Sequence, residues 1–197
     1  MPSERLIQQL AFLVEADQLK RVLRRTSLIG NDRKENTAEH SWHFALMALT
    51  LAEHATEPLD VPRVLKLALI HDLVEIDAGD SFVYDSAAMA DKAERERAAA
   101  ERIFGLLPLD QAVEYRALWD EFEEQQTPEA KFAAAVDRLC GMLPNYKNQG
   151  GSWTEHGITA VQVTGRNSPI GEGAPAVWEV ARGWITEAVT KGWILPE

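Results

Sequence analysis

Apolar residues recur at three- and four-residue spacing along almost the whole chain, and period-two alternation persists nowhere for long. A stripe that repeats every 3.6 residues buries itself only as a helix, so the expected fold class is all-α. The spacing predicts helices over 3–23 with Ser3 as N-cap, from Thr37 to about His54, from Asp60 and Pro62 to just before Gly79, over 87–105, over 109–125, from Thr127-Pro128 to about Leu143, near 154–167 and near 175–190. Pro62 falls in the first turn of its helix, where its missing N–H costs little. Residues 26–36, with Gly30, Asn31, Asp32 and Asn36, read as a loop, as do 77–86 and 144–153, and Pro144 is expected to stop the helix before it. The stretch GITAVQV alone reads briefly like a strand. Repeats, low-complexity segments and a composition break are all absent, so the 197 residues are expected to form a single domain of about seven to nine helices, with a core over about 10–143 and C-terminal helices over 154–190 packed on it.

Composition narrows the function classes. The chain is 46% hydrophobic and 26% charged, as in an ordinary globular protein. One cysteine, Cys140, excludes an internal disulfide framework and a Cys-based zinc site, and it fits a reducing compartment. The stretch MPSERLIQQL is polar where a secretion signal would be apolar, and residues 41–52 are too few to span a bilayer, so a soluble cytoplasmic protein is expected, with no membrane partner. A net charge of −11 argues against a nucleic-acid polymer as partner. One local exception is basic: Lys20, Arg21, Arg24, Arg25, Arg33 and Lys34 fall within fifteen positions, enough to hold a phosphate or to make a solvated helix face.

Against that background three sites break the apolar pattern. In KLALIHDLVEIDAGD, His71 and Asp72 emerge directly from the greasiest run of the chain, with Glu75, Asp77 and Asp80 close behind. In TAEHSWH, His40 and His43 lie three apart on one side of a helix that is apolar almost all round. In KFAAAVDRLCGML, Asp137 shares a helical row with Ala133, Ala134, Cys140 and Gly141, small residues that let another helix approach closely. A buried unpaired carboxylate is expensive, so each acid lies at an open rim or beside a positive charge. A divalent cation held by His40, His71, Asp72 and Asp137 satisfies all three sites at once. Two imidazoles and two carboxylates suit Mn, Co, Fe, Ni or Zn, and Mg less well. His43 is expected to pack beside Trp42 and Phe44, His54 to lie on the surface, Asp77 to cap a loop and Cys140 to fill the core.

The ordered set His40, His71-Asp72, Glu75, Asp80 and Asp137 resembles the HD superfamily of metal-dependent phosphohydrolases. LKRVLRRTSLIGNDRKENTAEH and LIHDLVEIDAGD look closer still to its 5′-deoxynucleotidase-like branch, over about residues 10–140. The resemblance implies that His40, His71, Asp72 and Asp137 are the metal ligands, that Glu75 handles proton transfer and that Asp80 stands beside the substrate. It implies that Arg25, fifteen residues before His40, binds the phosphate, with Lys34 or Arg33 helping, while Lys20, Arg21 and Arg24 stay solvated. Relatives often carry Trp after that arginine; here Thr26 stands against the sugar, which leaves the preference between deoxyribose and ribose open. No histidine falls between 72 and 137, so one metal ion rather than two is expected.

The implied activity is hydrolysis of nucleoside 5′-monophosphates to nucleoside and phosphate, by a homodimer. Glu75 would give a proton to the departing 5′ oxygen or relay one from the attacking water. Two rivals stand beside this reading. One is an HD hydrolase acting on a cyclic nucleotide, a nucleoside triphosphate or a non-nucleotide phosphate ester. The other is a non-catalytic, metal-stabilised binding domain, which has no need of Glu75 or of a phosphate-binding arginine.

Overall fold

Ser3 Oγ accepts the Leu6 N–H at 3.3 Å and opens α1 (Glu4–Ala16). The structure is a computed structural model that describes residues 2–30, 32–85 and 90–197. Instead of running to residue 23, α1 tightens into a 3₁₀ turn at Asp17–Arg21, and the chain then extends as β1 (Leu23–Ser27). β1 pairs antiparallel with β2 (Lys34–Asn36), Leu23 opposite Asn36 and Ser27 opposite Lys34. This two-stranded ribbon replaces part of the expected loop over 26–36, of which Asn31 lies outside the described residues. LRRTS has no apolar alternation, so nothing in its hydropathy marks a strand. What alternates is burial, with Arg24 and Thr26 turned inward and Leu23 and Arg25 outward.

Asn36, rather than Thr37, caps α2 (Thr37–Leu51). Its side chain accepts the Glu39 N–H at 3.0 Å and the Glu39 carboxylate accepts the Asn36 N–H at 3.1 Å, a reciprocal capping box. A 3₁₀ turn at Ala52–His54 ends this segment with His54 exposed. Asp60 caps α3 (Val61–Ile70) by accepting the Arg63 N–H at 3.2 Å, and Pro62 sits in the first turn as the sequence implied. The helix does not continue unbroken to Gly79. It tightens to 3₁₀ at His71–Val74, resumes as α4 (Glu75–Ala78) and ends at Gly79 with φ 73°, a conformation that favours glycine. The break falls on the His-Asp pair.

α5 (Lys92–Phe104) and α6 (Leu109–Glu124) match the sequence reading, although residues 87–89 of the expected helix lie outside the described residues. α7 (Pro128–Lys147) runs through the middle of the fold against α2, α3 and α6. Its Ala130, Ala133, Ala134 and Ala135 are buried, and these small side chains let the neighbouring helices close in. Pro144 does not stop it. The missing N–H breaks one bond, but Asn145 fastens the last turn: its Nδ2 donates to Gly141 O at 2.9 Å and its Oδ1 accepts from Ser152 N and Oγ at 2.8 and 2.9 Å. The C-terminal part comprises α8 (Ser152–Glu155), α9 (Ala160–Asn167), α10 (Ile170–Gly173) and α11 (Pro175–Thr190). Gly157 at φ 62° separates α8 from α9, and Thr159 and Gln162 cap α9. Among the described residues no helix is long and apolar enough to cross a membrane.

α10 docks directly on α7. A Cβ at Gly173 would overlap the backbone of Lys131 and Phe132, whereas one at Gly165 in α9 would meet nothing within 4 Å. Gly173→Ala is therefore expected to lower unfolding free energy by about 1–3 kcal/mol, and Gly165→Ala to leave it unchanged or raise it by about 0.5–1 kcal/mol, by chemical denaturation. Equal effects at the two positions would contradict this docking.

Candidate metal centre

The ribbon, α2, the break after α3 and the middle of α7 each carry one part of a polar cluster inside the core. His40 Nε2 lies 2.9 Å from Asp137 Oδ1 and 3.7 Å from Asp72 Oδ2. His71 Nε2 lies 3.1 Å from Asp72 Oδ2 and 3.9 Å from Asp137 Oδ1. Both histidines are buried, and the two acids are largely so. Ligands about 2.0–2.2 Å from one ion and at right angles to each other stand about 3 Å apart, so these separations fit donors converging on a shared cation.

Two further observations fit the same group. His71 Nδ1 is 3.0 Å from Ala68 O; a carbonyl only accepts, so Nδ1 carries the proton and Nε2 offers its lone pair inward. His71 Nε2 and His40 Nδ1 are buried and make no hydrogen bond, the first despite its nearness to Asp72. His40, His71 and Asp72 could hold a metal ion, each offering one atom within 4.8 Å of the others. Burial, and then the charge of Arg24, hold the His40 imidazole below its usual pKa, in the neutral form that ligates. For His71 burial is outweighed by Asp72 and Asp137, and its pKa rises. Burial would raise both acids, but His71 and then Arg24 draw Asp72 down to about 2, and His40 holds Asp137 below the usual carboxylate range.

Arg24 is the counter-charge, contrary to its expected place on a solvated face. Its side chain is only 16% exposed; Nη1 lies 3.1 Å from Asp72 Oδ2 and 3.8 Å from Asp80 Oδ1, and Nε lies 3.7 Å from Glu35 Oε2. Glu35 is a second residue that the sequence reading passed over, although it opens the E-N-x-x-E-H segment. Buried on β2, it stands 3.8 Å behind His40 Nδ1, and burial pushes its carboxyl up to about 7 against the opposing pull of Arg24. Glu75 is buried and accepts from Thr37 Oγ1 at 2.9 Å. Burial and then the Asp72 charge drive its pKa well above the usual carboxylate value. Asp80 is raised in the same way by burial, while Arg24 and the Arg25 N–H pull against it.

The remaining expected residues fall as follows. Arg25 is exposed and, with Thr26, lines an open cavity beside Arg24, Asp80 and Asp137. Lys34 is turned away from that cavity, its ammonium donating to Arg25 O at 2.7 Å and Glu155 at 2.9 Å. Arg33 is paired with Glu39 at 2.8 Å. His43 stacks on Trp42, and Cys140 is buried against Met47. Asp77 does not cap a loop; it pairs with Arg102, whose Nη2 reaches Oδ1 at 2.7 Å. The far wall of the cavity belongs to the C-terminal part of the chain, through Trp153, Arg166 and Asn167. Sequence gave those helices no purpose, because their contact with the site is long-range.

Residues 16–178 match the HD domain family, and the chain belongs to that family. It is 36% identical over 135 residues to human 5′-deoxynucleotidase HDDC2, an alignment that covers 68% of this chain and 64% of that protein's length. A 5′-deoxynucleotidase from Yersinia pestis is 29% identical over 140 residues, covering 67% and 70% of the two chains. A crystal structure described as a predicted metal-dependent phosphohydrolase from Magnetospirillum magnetotacticum is 49% identical, with a TM-score of 0.95 over 100% of this chain and 98% of that one.

Removing the buried guanidinium would leave Asp72, Asp80 and Glu35 facing one another without a cation. Arg24→Met is therefore expected to cost about 3–5 kcal/mol of unfolding free energy near neutral pH, measured by denaturant titration of metal-free protein. The exposed neighbour serves as control: Arg25→Met should stay within about 0.5 kcal/mol of the parent. A reversed order would place the wrong arginine at the centre.

Proposed function

We propose that this protein is a metal-dependent phosphomonoesterase that hydrolyses nucleoside 5′-monophosphates, with deoxyribonucleotides expected, to nucleoside and inorganic phosphate. The observation that carries the reading is the convergence of two imidazoles and two carboxylates beside a buried arginine and an open cavity. The likeness to proteins named 5′-deoxynucleotidase supports the substrate class.

In this reading His40, His71, Asp72 and Asp137 hold one divalent ion, Mn, Co, Fe, Ni or Zn rather than Mg. The bound ion would lower the pKa of a water toward neutrality and shield the phosphoryl oxygens. Arg24, fixed by Asp72, and Arg25, at the cavity wall, would donate charge-assisted hydrogen bonds to the phosphate. Thr26 and Asp80 border the sugar. Lys34 acts at one remove, anchoring the Arg25 carbonyl. Burial, and then the Asp72 charge, raise the Glu75 carboxyl well above the usual carboxylate range, which favours it as the acid for the departing 5′ oxygen, with Thr37 fixing its orientation. We further propose that the chain works as a single HD domain, as a homodimer and in the cytoplasm, on a small-molecule substrate rather than a nucleic-acid polymer.

Two measurements check the reading. Metal-stripped protein is given Mn, Co, Mg or Zn singly and assayed for phosphate release from ribo- and deoxyribonucleoside 5′-monophosphates, a diester and triphosphates. Release from the 5′-monophosphates is expected; activity confined to diesters or triphosphates, or silence with every metal, would contradict it. Glu75→Gln should lower kcat by about 10²–10⁴-fold, with metal still bound. Independently of activity, the preferred ion at about a hundred times its Kd should raise unfolding free energy by about 2.7 kcal/mol, and His71→Ala should abolish that gain.

A further inference from the structure

The amphipathic helix α1 is docked the wrong way round. Its inner face is mostly polar: Arg5 donates to both carboxylate oxygens of Asp110 at 2.7 and 2.9 Å, Gln9 Nε2 donates to Gln111 Oε1 at 2.7 Å, and Glu15 accepts from Arg102 Nη2 at 2.6 Å. Phe12 alone is buried, edge-on to Tyr115 with the ring centroids 5.6 Å apart. Leu6, Ile7, Leu10, Leu13 and Val14 lie on the opposite side as one stripe at helical spacing, 44–70% exposed. Among the described residues nothing covers them.

A surface helix ordinarily turns such a stripe toward the core, so this one is left for a partner. Five aliphatic side chains at this exposure present about 500 Å² of apolar surface, at the upper end of what a monomer carries as its largest patch. Pairing with the same stripe of a second copy brings the buried total to about 1,000 Å², the size at which a specific interface begins. Charge favours an antiparallel crossing centred on Leu10. It opposes the two helix dipoles and brings Glu4 toward the partner's Arg21. Glu4 and Arg21 are both exposed, and neither makes an ion pair within its own chain among the described residues. A lipid surface suits the stripe less well. Net charge is −11, α1 has no lysine, and its one arginine is taken by Asp110, so the helix offers little to anionic headgroups. The exposed stripe on α2, made of Trp42, Leu46 and Leu49, is shorter.

We propose that α1 is the contact between two copies of this chain, its apolar stripe packed antiparallel against the same stripe of the second copy about a twofold axis at Leu10. The proposal rests on the homodimer reading above and names the face that reading leaves open. The polar inner face then has a purpose. Arg5, Gln9 and Glu15 fasten α1 to α5 and α6 through directional bonds, and the apolar residues stay free for the partner.

Sedimentation equilibrium of the full chain measures the association. The parent is expected at twice the mass of one chain at micromolar concentration. Leu10→Glu sets two like charges at the centre of the interface, and at an exposed position it spares the fold; it should raise the dimer Kd at least about a hundredfold. Leu46→Glu, on the α2 stripe, should leave the Kd within about threefold of the parent. Cross-linking reads the geometry. Cys140 is buried and is the chain's one cysteine, so Leu10→Cys should give a covalent dimer on mild oxidation, and the parent should not. A parent that stays monomeric would overturn both this interface and the homodimer reading. A dimer that Leu10→Glu leaves intact, or that Leu46→Glu dissolves while Leu10→Glu does not, would overturn the α1 interface and leave the homodimer reading standing. Flotation of monomeric parent with phosphatidylglycerol–phosphatidylcholine vesicles, lost in Leu10→Glu, would assign the stripe to a lipid surface instead.

Discussion

Four polar side chains from three separate parts of the chain meet in the core with Arg24 as their organic cation, and the rest of the architecture follows from that meeting. His40, His71, Asp72 and Asp137 sit at separations that ordinary hydrogen bonding does not use up, since His71 Nε2 stays unpartnered 3.1 Å from a carboxylate. Buried charge of this density is stable only when each member has its complement. Arg24 supplies one positive charge to Asp72, Asp80 and Glu35 together, and a divalent ion would supply the remainder.

Several local features serve that meeting. The 3₁₀ break after α3 lets neighbouring residues His71 and Asp72 bring their donors within 3.1 Å of each other. The alanines of α7 allow α2 and α3 close enough for Asp137 to reach both imidazoles. The ribbon turns Arg24 and Glu35 under the cluster from its two strands. Asn145 carries α7 past Pro144 and ties it to α8, so the C-terminal helices become the far wall of the cavity.

Much of this was legible before any coordinates. The helical period and the Asp60-Pro62 and Thr127-Pro128 starts are local signals that hold in the fold, and His40, His71, Asp72 and Asp137, picked out as polar breaks in apolar helices, come together in the core. The choice between Arg24 and Arg25 was not. On a strand successive side chains point to opposite faces, so a segment read as helix and loop cannot decide which arginine turns inward. LRRTS hides its strand because both alternating sets are mostly polar. Glu35 reads as one more acid beside a helix cap, and only the packing of the ribbon beneath α2 buries it. Pro144 misleads because the compensation comes from a side-chain amide that hydropathy does not register.

The most direct examination of the central claim is anomalous diffraction from crystals grown with Mn²⁺. The account predicts a single strong peak bonded to His40 Nε2, His71 Nε2, Asp72 and Asp137, with Arg24 still on Asp72. A fully loaded crystal with its peak elsewhere, or with those four side chains gathered around no ion at all, would contradict it.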